Sequence, residues 1–145
     1  MVAAMLMLFT GCDDKLDVHK VYEFSVSSLP LQKKIKVCET VEIRFKLVQN
    51  DKYEGAKYYF NFFQPEGKGY IQNENSDILI PNDNYELSTE TFSLYYTSNC
   101  QDIQTIDITI RDNFNQEHKL TFNFENDKAN TFPLLIKDGN LVNPK

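Results

Sequence analysis

The stretch TVEIRFKL alternates without a break: Val41, Ile43, Phe45 and Leu47 are apolar, while Glu42, Arg44 and Lys46 are charged. A period of two marks a strand with one face in a core and the other in water. IDITIRD repeats the pattern, with Ile106, Ile108 and Ile110 set against Asp107, Thr109 and Arg111. KLTFNFE repeats it again, with Leu120, Phe122 and Phe124 against Lys119, Thr121, Asn123 and Glu125. Between these last two runs DNFNQ supplies turn formers, so they are predicted to pair as a hairpin.

Further strands are predicted at 21–27, 35–37, 57–64, 77–80 and 91–97, separated by Asn50-Asp51, by PEGKG and by PNDN. Gly67-Lys68-Gly69 reads as a hairpin turn, since a phosphate loop needs more glycines and a following helix. No segment sustains a helical period. The fold class is therefore all-β: a single immunoglobulin-like antiparallel β-sandwich of about seven strands. Strand A is placed at 21–37, B at 41–49, C at 57–64, then a D region, E at 91–97, F at 104–111 and G at 119–126. In such a sandwich the A–B, C–D and E–F connections gather at one end.

The start of the chain is different in kind. Residues 1–9 carry no charge, and after Thr10, Gly11 and Cys12 come Asp13, Asp14, Lys15 and Asp17. A membrane-spanning helix needs about 20 apolar residues. This shorter run has the length of an export signal's apolar region. Thr10-Gly11-Cys12 resembles the lipobox of bacterial lipoproteins, where the thiol is acylated and cleavage leaves the cysteine first. Phe9 stands where leucine is usual. A buried core cysteine is the alternative for Cys12. The expected division is a lipoprotein signal peptide at 1–11, lipidation at Cys12, a polar tether at 12–20, the sandwich at 21–126 and a C-terminal tail at 127–145. The tail's apolar patch, 132–136, either adds an edge strand or hangs free. No Lys or Arg precedes the apolar run, so translation is expected to start a few codons upstream. The acidic run after Cys12 resembles the export signals of Bacteroidetes surface lipoproteins. The expected location is the cell envelope, lipid-anchored at the outer membrane, with the facing side open.

Net charge is −6, which argues against a nucleic-acid partner. Lys33-Lys34-Ile35-Lys36 is too short to reverse that and reads as a solvated surface strand. His19 falls in the tether and His118 in the hairpin; both read as exposed polar residues. No cysteine pair has C-x-x-C spacing. Asn73-Glu74-Asn75-Ser76-Asp77 and Asn82-Asp83-Asn84 offer oxygens at alternate positions but lack the glycine and closing glutamate of a calcium loop, so they read as solvated loops. No catalytic residues, metal site or cofactor are assigned, and the chain is not read as an enzyme.

Two features remain. In KYYFNFF, Tyr58, Phe60 and Phe62 would fill the core, leaving Tyr59, Asn61 and Phe63 on the outer face of strand C as candidate partner-binding residues. The competing reading is that the tail or a loop covers them. Cys38 in the A–B turn and Cys100 in the E–F loop fall at the same end of the expected sandwich. They are a candidate disulfide, with two unpaired thiols as the alternative.

LPLQKKIKVCETVEIRFKLV, YYFNFFQPEGKGYIQ, ILIPNDNYELSTETFSLYYTS and IDITIRDNFNQEHKLTFNF, in this order and spacing, resemble the TraQ family of conjugative transposons in Bacteroidetes. FQPEGKG, PNDNY and FSLYYTS are its most specific pieces, and Cys38 sits where a small turn residue is expected. The resemblance covers about 21–125. It implies an envelope lipoprotein of a conjugal-transfer operon, with other conjugation-apparatus proteins as partners and the membrane reached through the N-terminal lipid. It carries no catalytic residues. The reading it supports is protein–protein contact in conjugative transfer; the alternative is a surface module binding glycans or matrix through Tyr59 and Phe63.

Overall fold

The computed structural model describes residues 23–51 and 54–128, and the backbone of 135–137 and 140–142. The expected signal peptide, Cys12 and the tether lie outside the described residues. Nine of the described strands form two facing sheets. One holds β1 (Phe24–Ser28), β3 (Thr40–Gln49), β7 (Thr91–Ser98) and β5 (Gly69–Gln72), adjacent in that order and antiparallel throughout. The other holds β2 (Lys34–Ile35), β9 (Glu117–Asn126), β8 (Gln104–Asp112), β4 (Tyr58–Glu66) and β6 (Tyr85–Leu87). The grouping of A, B, E and D against C, F and G is that of an immunoglobulin-like sandwich.

The alternation in the sequence is what buries the core. Val41, Ile43, Phe45 and Leu47 of β3 face Ile106, Ile108 and Ile110 of β8, and all are buried. Each such side chain contributes about 1.5–3 kcal/mol relative to exposure. Rings then join the two layers. Phe24 meets Tyr58 edge-on at 5.0 Å, Phe45 meets Phe122 edge-on at 5.8 Å, and Tyr96 stacks on Phe124 at 5.7 Å. Each pair has one ring on either sheet, so aromatic contacts span the gap in a chain without tryptophan.

The structure corrects several expectations. Strand A is two strands: β1 pairs with β3, and after Pro30 the chain crosses to the opposite sheet as β2. Proline has no N–H to give to a ladder, which ends β1 there. β2 pairs with β9 in parallel, so the sandwich is not wholly antiparallel. Ile35, between lysines, is fully buried, so the basic cluster is not simply a solvated strand. Residues 77–80 are not a strand; only Ile78 bridges Gln72. Strand D is β5, and β6 adds an unforeseen edge beside β4. His118 is half-buried, with its ring 4.7 Å from Phe24. In the tail, β10 (Leu135–Lys137) and β11 (Asn140–Val142) pair with each other rather than with either sheet.

Gly67-Lys68-Gly69 is also not a hairpin turn, because β4 and β5 lie in different sheets. The crossing is tight. Gly67 has φ +81, and a Cβ there would stand 2.6 Å from Gln104 Cγ. A Cβ on Gly69 would stand 2.4 Å from the Tyr96 hydroxyl and 2.5 Å from the Thr97 carbonyl oxygen. The Tyr96 hydroxyl donates to Gln104 Oε1 at 2.5 Å and accepts from Gln64 Nε2 at 2.8 Å. Burial pushes this hydroxyl up to about 12, so it stays protonated and keeps donating. Gln64 and Gly69 of FQPEGKG thus close around Tyr96 of FSLYYTS, and Gly67 closes on its partner Gln104.

Gly69→Ala should therefore destabilise the domain by about 1–3 kcal/mol, the usual cost of forcing atoms into a filled site. Lys68→Ala, one residue away and exposed, should stay within about 0.5 kcal/mol. Chemical denaturation of the two variants measures both, and equal midpoints would refute the packing argument.

Candidate partner-binding face

β4 presents its residues by parity. Tyr58, Phe60 and Phe62 are buried, Tyr59 and Asn61 are half-buried, and Phe63 is 50% exposed on the outer face. Its neighbours in the sheet set what surrounds each one. Tyr59 lies between Glu86 of β6 and Arg111 of β8, Asn61 lies beside Thr109, and Phe63 lies beside Asp107. Asn61 Nδ2 also donates to Asn84 Oδ1 at 3.2 Å, which fixes the amide between the two rings. The three candidates do share one face.

Around this aromatic column the face is a lattice of paired charges. Lys119 lies 2.8 Å from Asp107, whose other oxygen accepts from Thr121 at 2.7 Å. The Lys119 ammonium, then the Thr121 hydroxyl, hold the Asp107 carboxyl below its ordinary value. Arg111 pairs with Glu117, and Lys57 lies 3.9 Å from Glu86. The sequence pattern had already turned Asp107, Arg111 and Lys119 outward. The C–F–G order of the fold places Asp107 and Arg111 of β8 beside β4 and Lys119 one strand further out on β9. What periodicity missed is the strap after β5. Leu79 is buried while Ile78 and Ile80 are 65% and 62% exposed. Asn82 N donates to the Phe62 carbonyl at 2.8 Å, so the strap borders the strand end that carries Phe63.

The acidic and amide loops have other work. Asn73 Oδ1 accepts from the backbone N–H of Asn75 and of Asp77, each at 2.9 Å, and Asn73 Nδ2 donates to Asp77 Oδ2 at 3.0 Å. These side chains brace their own turn. Among the described residues, no group of three or more His, Cys, Asp or Glu converges as a metal site. Cys38 and Cys100 lie at one end, where Cys38 N donates to the Ser98 carbonyl at 2.8 Å and Lys68 N donates to Cys100 Sγ at 3.1 Å. The thiols are not joined in the structure.

Comparison with known proteins then gives the setting. The family model described as TraQ conjugal transfer protein matches residues 1–127. A conjugative transposon lipoprotein from Bacteroides eggerthii is 35% identical, with a TM-score of 0.67, over 71% of this chain and 97% of its own. A lipoprotein from Bacteroides thetaiotaomicron is 44% identical, with a TM-score of 0.67, over 79% of this chain and 88% of its own. A conjugate transposon protein from Bacteroides vulgatus is 37% identical, with a TM-score of 0.65, over 81% of this chain and 95% of its own. Comparison with curated proteins gives no match.

The lattice makes a pH-dependent prediction. A carboxyl held below its ordinary value stabilises the fold above the unfolded value, about 3.9 for aspartate, and loses that contribution as pH falls through the folded value. Asp107→Asn should cost less than about 1 kcal/mol at neutral pH, because Lys119 is largely exposed. The gap from the parent should close in the acid range below pH ~4. Melting curves from neutral to acid pH measure it, and a gap that widens on acidification would contradict the assignment.

Proposed function

Because the chain belongs to the TraQ conjugal transfer family, we propose that it is a lipid-anchored envelope protein acting by protein–protein contact in the apparatus that transfers a conjugative element. The observation that carries this reading is the family match, whose span takes in the apolar leader, Cys12 and the whole sandwich. Two of the similar structures are themselves described as lipoproteins. Cys12 would carry the lipid, since one acyl chain alone holds a membrane only reversibly and the several chains of a lipoprotein hold firmly.

The partner surface in this reading is the outer face of β4, β8 and β9. Phe63 gives it an exposed aromatic anchor, and Tyr59 and Asn61 lie in the same column. Aromatic residues at the centre of a contact contribute most of its energy, while a charged rim sets register. The ion pairs of Asp107, Lys119, Arg111 and Glu117 form such a rim. The partner is another protein of the apparatus, and DNA is disfavoured by the net charge of −6.

Three results would test this. Cys12→Ser should abolish labelling by a fatty-acid analogue and release the protein to the soluble fraction; a mutant that still labels and pellets would overturn the anchor. Deleting the gene from its mobile element should lower transfer frequency, and unchanged transfer would overturn the role. Phe63→Ser should leave the melting temperature nearly unchanged, as surface substitutions usually stay within about 0.5 kcal/mol. The same variant, returned to the deletion strain, should not restore transfer. Full restoration, with glycan binding lost instead, would favour the surface glycan- or matrix-binding alternative.

A further inference from the structure

We propose that Cys38 and Cys100 form a disulfide that clamps the end of the sandwich opposite the β8–β9 turn. The first observation is conformational. Cys38 has φ 65, in the left-handed region that side chains disfavour. Glu39 N donates to the Lys36 carbonyl at 3.1 Å, closing the turn between β2 and β3. Cys38 N donates to the Ser98 carbonyl at 2.8 Å, and Ser98 N donates to the Glu39 carbonyl at 3.1 Å. Cys38 and Glu39 thus oppose the single residue Ser98. In this type of bulge the first position is normally glycine, for which the conformation is free of strain. A cysteine in a conformation that favours glycine points to a use of its thiol.

The second observation is register. With Cys38 opposite Ser98, the last residue of β7, Cys100 lies two residues beyond that strand, in the connection to β8. Within a ladder, diagonal neighbours have Cα atoms about 7–8 Å apart; past the ladder's end the spacing is set by the loop, and a bridge requires roughly 4.4–6.8 Å. Both cysteines are in connections outside the ladders, and the bridge closes by movement of those connections. The Ser98 hydroxyl donates to the Cys100 carbonyl at 3.2 Å and holds this loop close to β7. Bridging takes Cys100 Sγ away from Lys68 N, but Lys68 is exposed and water replaces that contact.

The chemistry needs an acceptor for two electrons, and a dithiol oxidase of the envelope supplies it as a protein disulfide. Cys38, the exposed thiol, attacks that disulfide as thiolate, forming a mixed disulfide and releasing one oxidase thiol. The Cys100 thiolate then attacks the Cys38 sulfur and expels the second oxidase thiol. Two cysteine thiols become one S–S bond, and the oxidase leaves as a dithiol carrying both electrons and both protons.

The step rests on export, so the test separates geometry from location. Full-length protein from cell envelopes is acid-quenched, alkylated before and after reduction, and mapped by peptide mass. In parallel, purified full-length protein is treated with glutathione disulfide. Both preparations should resist alkylation at Cys38 and Cys100 until reduced and should give a joined peptide lighter by two hydrogen atoms. Two alkylatable thiols in both overturn the proposal. A bridge that forms in vitro yet is missing from envelope material also overturns it, and places the fault in the location. Cys38→Gly supplies a second readout with a change of sign: without reductant its melting temperature should fall below that of the parent, and with reductant it should rise above it, because glycine relieves the left-handed turn. Cys100→Ser leaves that turn intact and should lower the melting temperature only without reductant. A Cys38→Gly protein as stable as the parent under non-reducing conditions overturns the clamp.

Discussion

Between Glu66 and Gly69 the chain passes from one sheet to the other, and the space it passes through is filled by Tyr96 and Gln104. Side chains at both glycines would collide there, so the crossing exists only because those positions have none. The hydroxyl of Tyr96 is fully buried and satisfied from both sides by glutamines. A buried polar group without partners costs about 1–3 kcal/mol, so Gln64 and Gln104 are as necessary to the crossing as the glycines. This corner decides the topology that follows. It sends β5 to the edge of β7 and leaves the free edge of β4 for β6.

The sheet so completed is held from within by rings. Phe60 stacks at 5.3 Å on Tyr85 of β6 and at 5.7 Å on Phe92 of the opposite sheet, and Phe45 stacks on Phe92 at 4.8 Å. Offset and edge-on ring pairs add about 0.5–1.5 kcal/mol beyond the area they bury. Cohesion therefore resides on the inner faces, in residues of one parity. The other parity on β4, β8 and β9 is left to solvent-facing pairs that contribute little to folding. A strand of alternating residues keeps the two tasks apart, and the aromatic column of Tyr59 and Phe63 can change without unpacking Phe60 or Phe62.

Parity is also why much of this was legible in the sequence. The strands β3, β4, β7, β8 and β9 have eight to ten residues each, enough repeats of the pattern to fix both position and facing. The outward placement of Tyr59, Asn61 and Phe63 came with it. β2, β5 and β6 have only two to four residues, too few for a period to show. Ile35 looked solvated among lysines because its burial comes from β9, a partner some ninety residues away. The strap was hidden for a different reason. Ile78 and Ile80 look like the inward set, yet Leu79 N donates to the Ile71 carbonyl at 2.9 Å and its side chain takes the core. A single bridge to Gln72 does not commit the segment to strand parity. The corner of Gly67, Gly69, Tyr96 and Gln104 could be recognised as a specific motif, but its purpose is three-dimensional and appears only when distant residues meet.

On the lipid-anchored reading, the same topology determines how the face is presented. The described chain begins at Glu23, whose carbonyl accepts from Asn50 N at 3.0 Å, so the tether joins at the end where β3 finishes. That end carries Glu23, Asp51, Glu54 and Glu90, with Lys57 beside them and Lys52 in the same stretch of sequence, an acidic excess of two. Anionic headgroups repel such a surface within a Debye length, about 8 Å at physiological salt. The eleven residues from 12 to 22 could extend to roughly 36–40 Å, ample length for the domain to stand clear. β4 starts at the tethered end, where Tyr58 pairs with Asp112, and runs away from it towards Glu66. Tyr59 therefore lies near the tether and Phe63 further out, about 13 Å along the strand. On that reading a partner meeting this column would approach from the side of the domain, with Phe63 the more distant of the two rings from the lipid, and the proposed clamp would lie beyond it at the distal end.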